Sequence, residues 1–163
     1  MATPDIDTPA LRALEGSETR FDVVVIERPT SVQESAERQG IEVGSVLRTI
    51  VVRRGAGDYV FVLVPGGRQI SWPKLRSHLG VSRISLPNAD EAREATGYER
   101  GAITPFGSSI VWPVIADATV AALGRIAIGG GAHGVNLHMD AADLIEATGA
   151  EVADVSAPAA PTR

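Results

Sequence analysis

One cation stands inside an apolar run: Arg48, in the segment VGSVLRTIVV at residues 43–52. Side chains of an extended chain alternate faces, so Val46, Ile50 and Val52 share its side while Leu47, Thr49 and Val51 point the other way. Both faces are largely apolar, which predicts a strand buried on both sides. A guanidinium in such a strand needs compensation, because an unpaired buried charge is costly and arginine does not escape by losing its proton. A structural carboxylate, a cleft open to water at the start of the strand, or an anionic ligand would each supply it.

Two glycine-rich segments offer backbone chemistry. GGGAHG, residues 129–134, formally matches the G-x-G-x-x-G pattern through Gly129, Gly131 and Gly134. That pattern holds a pyrophosphate only where the last glycine opens a helix, and here Gly134 leads into the alternating run VNLHM, which reads as a strand. The segment is therefore a tight turn between strands, or a loop whose exposed N–H groups cradle an anion or a carbonyl. TGYERGAITPFG, residues 96–107, combines Gly97, Gly101 and Gly107 with the fixed φ of Pro105. This describes a shaped loop able to present backbone groups to a small ligand, or an ordinary connection after a helix that Gly97 ends.

Other reactive residues form no constellation. His133 and His138 lie five apart, which in a strand places them on opposite faces and argues against a shared metal. Ser108 and Ser109 lack the G-x-S-x-G setting of a strained nucleophile. The chain has no cysteine, so thiol nucleophiles, disulfides and thiolate metal sites are excluded. Trp72 and Trp112 each precede a proline and read as packing residues.

The elements that must position these groups follow from local signals. Thr8 and Pro9 open a short helix with Leu11 and Leu14 on one face, and the acidic residues before it are expected to fray. FDVVVIER, residues 21–28, reads as a strand, and Ser31 and Gly40 bracket a helix. The β-branched runs at 46–54 and 58–65 flank Gly55-Ala56-Gly57 and predict a hairpin. Ser71 to Gly80 and Asn88 to Gly97 each frame a helix. IVWPVIAD, LGRIAI and VNLHM are further strands, and Asp140 starts a last helix. Residues 156–163, rich in Ala and Pro, read as a flexible tail. The order lacks regular βαβ alternation and predicts a mixed α/β domain over residues 1–155, with a largely antiparallel sheet or partly closed barrel surrounded by helices.

With 163 residues and 44% hydrophobic content, one domain with a substantial core is expected. A net charge of −5 argues against broad nonspecific nucleic-acid binding, DNA included, while leaving room for a local basic cleft. No segment approaches membrane-span length, and the opening MATPDIDTPA has neither the basic nor the apolar part of a leader. The expectation is a soluble, cytoplasmic protein without a membrane partner. Lys74 is the single lysine, a composition in which Arg48 can stand where relatives carry lysine.

Taken in order, VLRTIVV, TGYERGAITPFG and GGGAHGVNL, followed by DAADLIEATGAEVADV, resemble the YbaK and prolyl-tRNA synthetase-associated editing domain family over almost the whole chain. The resemblance implies a mixed-sheet barrel with outer helices and a deacylase that hydrolyses the ester of mischarged tRNA, commonly alanyl- or cysteinyl-tRNA for proline. It implies no cofactor and no metal. Its expected partners are the 3′ end of tRNA and prolyl-tRNA synthetase. Arg48 and Thr49 fall where the family has a Lys-Thr pair, with Arg48 the expected catalytic cation. Gly101, Ala102, Ile103, Thr104 and Pro105 would surround the aminoacyl group, and Gly129, Gly130 and Gly131 would form another wall. Asn136 stands where some members have aspartate, and Ile26 where some have tyrosine. Without an evident general base, water or the substrate's own side chain would attack a polarised carbonyl. The alternative is a noncatalytic relative that binds an aminoacyl or nucleotide-like ligand or a protein partner.

Overall fold

In the computed structural model, which describes residues 6–159, the helices begin and end where the sequence caps them. The acidic segment at residues 1–5 and residues 160–163 lie outside the described residues. Helix α1 (Pro9–Glu15) starts at Thr8, whose hydroxyl oxygen accepts the Leu11 N–H. The same hydroxyl donates to the Gly130 carbonyl, so one cap also ties the helix to the glycine turn. Strand β1 (Asp22–Val25) is shorter than its apolar run, and α2 (Val32–Gln39) follows between Ser31 and a left-handed Gly40.

The hairpin forms as β2 (Leu47–Gly55) and β3 (Asp58–Pro65), in antiparallel register from Leu47 opposite Pro65 to Gly55 opposite Asp58. Then come β4 (Arg68–Ile70), α3 (Trp72–Leu79) and α4 (Ala89–Thr96), the last capped by Asn88. Strand β5 (Val114–Asp117) begins only after Pro113, because proline cannot donate to a ladder; Ile110 and Val111, expected in this strand, are exposed instead. Strands β6 (Arg125–Gly129) and β7 (Val135–Asp140) flank the glycine turn, and helix α5 (Ala141–Thr148) leads to β8 (Glu151–Ala153) and β9 (Ser156–Pro158). At residues 156–158 the last strand corrects the reading of the segment 156–163 as a tail. Ser156 is buried, and β9 pairs antiparallel with β4, a long-range partner that composition does not reveal.

The sheets run β1-β7-β6, β2-β3-β5-β8 and β4-β9. Only β3-β5 and β5-β8 are parallel, so the fold is mixed and largely antiparallel, as expected. The first two sheets meet where Val46 bridges Ala127 and do not close into a barrel among the described residues. Strand β3 divides the core. Phe61 and Leu63 face one cluster with Leu11, Leu14, Ile126, Leu137 and Leu144, while Val60, Val62 and Val64 face another built on Ile70, Leu75 and Val155.

Asp117 pins the chain's end to this frame. Its carboxylate accepts the Thr119 N–H and O–H at 3.1 and 2.5 Å and the Val155 N–H at 3.0 Å. Burial alone would raise its pKa, but these hydrogen bonds outweigh it and hold the group below the usual carboxylate value. The Asp117→Ala substitution is expected to lower the unfolding free energy by about 3 kcal/mol at neutral pH, read from urea melts. Because the folded-state pKa is depressed, the carboxylate's contribution is complete above the unfolded value of about 3.9 and lost as pH falls through the lower folded value. Stability curves of the two proteins therefore converge toward acid; parallel curves contradict the assignment.

At the glycine turn, Gly134 has φ +77°, and a Cβ there would lie 2.3 Å from the Ile26 carbonyl oxygen. Gly134→Ala is expected to destabilise by about 2–4 kcal/mol through strain and overpacking. A variant melting with the parent protein would contradict that close approach.

Candidate functional site

Past the Val46 to Ala127 bridge, β2 and β6 separate, and the gap is a cavity of about 590 Å³. Its floor is the stretch of β2 from Leu47 to Val51. The walls come from Gly101 and Ile103, from the turn between Gly129 and Gly134, and from Asn136 on β7.

Strand β2 is the end strand of its sheet, so one row of its backbone groups has no strand partner. Arg53 exchanges both backbone hydrogen bonds with Ser85 on that outer edge. Alternate residues of a strand direct their N–H and C=O the same way, so Val51 and Thr49 aim theirs at the cavity side. The Thr49 hydroxyl is also buried and has no hydrogen-bond partner. Such an orphan is costly in a dry wall and calls for a polar ligand group or water.

The loop and the turn support one another as a single wall. Tyr98 donates to the Phe106 carbonyl at 2.6 Å and so closes the loop; burial pushes its phenol up to about 12, which keeps it a donor at any working pH. Gly101, at φ +90°, leaves room for the His133 ring, whose Cε1 lies 3.1 Å from where a Cβ would be. His133 Nε2 is 3.6 Å from a Glu99 carboxylate oxygen. A Cβ on Gly129 would lie 3.5 Å from the Ile103 carbonyl oxygen.

Of the residues the sequence brings forward, Arg48, Thr49, Gly101, Ile103, Gly129 and Asn136 border the cavity. Ala102 and Thr104 are buried behind the wall. Pro105 lines a separate recess with Phe106 and Trp112. Gly130 gives its N–H to Val135 and its carbonyl to Thr8, and Gly131 packs against Tyr98 and Thr8, so both serve the turn itself. Asn136 donates to the Gly134 and Val24 carbonyls at 3.2 and 3.4 Å, which holds β7 to the turn and to β1. Residues that sequence reasoning passes over also border the space: Ser35 of α2, Leu86, Pro87 and Arg100. Arg100 lies inside the loop singled out for its glycines, so its charge was a usable signal; Ser35 and Leu86 carried none.

Of the three compensations open to Arg48, the structure shows the opening to water at the start of the strand. Arg48 is exposed, and its guanidinium donates to the Arg68 carbonyl. Ile50 and Val52 on its side are covered by the second core cluster, but that cover ends before Arg48, which sits where the strand opens to water. The cation borders the cavity's rim beside Thr49.

The chemistry available is narrow. Among the residues that border the cavity there are two guanidinium groups, Arg48 and Arg100, and no carboxylate, imidazole or amine. His138 is turned away against Gln39 at 2.9 Å, and burial pushes its imidazole pKa down. The arrangement can attract an anion, donate from backbone to a carbonyl or oxyanion, and seat a water. It offers no side-chain general base and no covalent nucleophile beyond a hydroxyl.

The sequence profile of the aminoacyl-tRNA editing domain family matches residues 27–147, a range that contains every residue bordering the cavity. A proline–tRNA ligase of Thermosipho melanesiensis is 27% identical over 113 residues, which is 68% of this chain and 20% of the ligase. The chain thus spans about a fifth of the length of the ligases it matches. A protein of Enterococcus faecalis named as a Cys-tRNA(Pro)/Cys-tRNA(Cys) deacylase is 22% identical over 126 residues, 77% of each chain. A crystal structure described as that of a trans-editing enzyme for prolyl tRNA synthetase superposes with a TM-score of 0.83 at 25% identity, covering 94% of this chain and 99% of that one. Matched by the family profile over most of its length and alike in fold across nearly all of it, the chain belongs to the aminoacyl-tRNA editing domain family.

Proposed function

We propose that this chain is an aminoacyl-tRNA deacylase acting in trans, with alanyl- or cysteinyl-tRNA for proline as its substrate. The observation that carries the reading is the cavity at the open edge of β2, where the orphaned Thr49 hydroxyl and the backbone donors of Thr49 and Val51 stand beside two arginines and no acid or base. Family membership and the names of the relatives agree with it. A tRNA 3′ end brings an ester carbonyl that accepts hydrogen bonds and a phosphate that pairs with guanidinium.

In this reading water attacks the ester carbonyl, the bond to the terminal ribose oxygen breaks, and that oxygen leaves as a hydroxyl, taking up one proton for the one the water loses. Where the amino acid is cysteine, its own thiol is an alternative attacking group: the C–S bond forms as the bond to the ribose oxygen breaks, the thiol proton passes to that oxygen, and water then opens the cyclic thioester. The protein's part is to place the carbonyl against fixed donors and to hold the neighbouring phosphate, which is positioning and electrostatic work. Gly101, Ile103 and Gly129 would bound the aminoacyl group from the wall that faces β2, with Ala102, Thr104, Pro105, Gly130 and Gly131 shaping that wall from behind. No cofactor or metal is assigned. The reading implies a cytoplasmic protein that meets its substrate near prolyl-tRNA synthetase.

Mischarged tRNAs presented one by one, each followed for ester loss, test the assignment. Faster loss of alanine or cysteine from tRNA for proline is the expected result, and no acceleration on any member of the panel overturns it. Arg48→Ala should cost about 10²–10³ in single-turnover rate if the cation works like one oxyanion-hole donor, whereas Arg48→Lys keeps much of the rate because charge suffices. Since Arg48 is exposed and its described bond is to a backbone carbonyl, Arg48→Ala should cost only about 1 kcal/mol of stability. An Arg48→Ala protein with full activity removes Arg48 from the chemistry.

A further inference from the structure

A second concavity lies farther along β2. Arg53, Arg54 and Gly55 of the strand, Arg76 of α3 and the segment Ser82 to Ser85 enclose a groove of about 460 Å³. Four of the bordering side chains are guanidinium groups, the fourth being Arg83, and none is a carboxylate. Two are neutralised from outside the groove: Arg53 lies 3.3 Å from Glu91, and Arg54 lies 2.8 Å from Asp58. Arg76 and Arg83 have no ion-pair partner among the described residues. This local positive excess occurs in a chain of net charge −5, so it is a feature of the groove and not of the overall composition. Like charges gathered without counterions repel, and an anion in the groove relieves that repulsion.

The groove and the cavity share a wall. Ser82 to Ser85 border the groove, the next two residues, Leu86 and Pro87, border the cavity, and the Arg53 to Ser85 backbone pair stands between them. Along the strand, Arg53 is four residues from Thr49, a distance of about 13 Å. A polyanion whose end enters the cavity would therefore have its next phosphates within reach of the arginines.

We propose that the groove binds the sugar–phosphate backbone of the RNA whose 3′ end occupies the cavity, with Arg76 and Arg83 contacting phosphate. This rests on the deacylase reading for its choice of occupant. Guanidinium matches phosphate geometry by paired hydrogen bonds, and the Ser82 and Ser85 hydroxyls add neutral donors on the same wall. The contact is independent of sequence, since it reads phosphate and not base edges.

Binding of uncharged tRNA, measured by fluorescence anisotropy across a salt series, tests the groove apart from the chemistry. The double variant Arg76→Gln/Arg83→Gln is expected to bind about tenfold more weakly at low salt. Its slope of log Kd against log salt should be shallower by about 1.5, the loss of two phosphate contacts. The Arg76→Lys/Arg83→Lys variant should retain most of the slope, because a point cation still neutralises phosphate. If the double variant melts below the parent, the exposed Arg83→Gln change alone carries the test with about half the slope change. Unaltered affinity and slope in the Gln variants, or no binding of tRNA by the parent protein at low salt, overturns the proposal, including in favour of an acidic protein as the groove's partner. Failure of the deacylase reading looks different: no ester is lost from any mischarged tRNA, yet uncharged tRNA still binds through Arg76 and Arg83. Ester loss with binding indifferent to both arginines sinks the groove and spares the deacylase.

Discussion

The site exists because β2 is paired with another strand along only one edge. Strand β3 takes the hydrogen bonds of one edge through an antiparallel register that runs the length of the hairpin. On the other edge the bridge at Val46 and the pair at Arg53 hold neighbours, and between them the backbone faces a cavity. An unpaired strand edge is ordinarily a liability that folds cover or blunt. Here a loop and a glycine turn stand off from it at a distance that leaves 590 Å³ open, so the edge becomes a row of donors and acceptors held rigid by the sheet behind it. Backbone groups fixed in this way need no reorganisation when charge develops on a bound carbonyl.

That distance is kept by packing on the far side of the walls. The glycine turn is locked by its own contacts: the Thr8 hydroxyl on the Gly130 carbonyl, the Gly130 N–H on Val135, and the Ile26 carbonyl against Gly134. The adjoining loop is locked by Tyr98 on Phe106. Helix α1, far from the cavity in sequence, backs both parts of the wall: its cap Thr8 joins the turn, and Pro9 and Ala10 pack against Gly107 of the loop. Rigidity of this kind suits the proposed chemistry, which is positioning, because misplacing a reactant by about an ångström forfeits much of the advantage.

Charge is distributed to match. The cavity bears guanidinium groups and no ionisable acid or base, while the carboxylates that pair with arginines of the groove, Glu91 and Asp58, lie outside both concavities. Arg48 and Arg100 border one concavity and Arg76 and Arg83 the next, so that two neighbouring hollows of an acidic chain carry cations.

Much of this was legible in the sequence, for a physical reason: caps, turns and hairpins are decided by residues within a few positions of one another. Thr8, Ser31, Ser71, Asn88 and Asp140 start the helices they were expected to start, Gly40, Gly80, Gly97 and Gly149 end the last four of these in the left-handed conformation, and Gly134 leads into a strand. What lay beyond reach depended on partners distant in the chain. Period two assigned Arg48 to a face, but whether that face was covered depended on where the second core cluster ends. The glycine cluster marked a turn, but contacts with Thr8, Tyr98 and Val135 decided that Gly130 and Gly131 face inward while Gly129 borders the cavity. Ser156 looked like the start of a tail because nothing near it pairs; β4, 88 residues earlier at Arg68, does. Local free energies select the elements, and only the assembled core determines which of their surfaces remain open to a ligand.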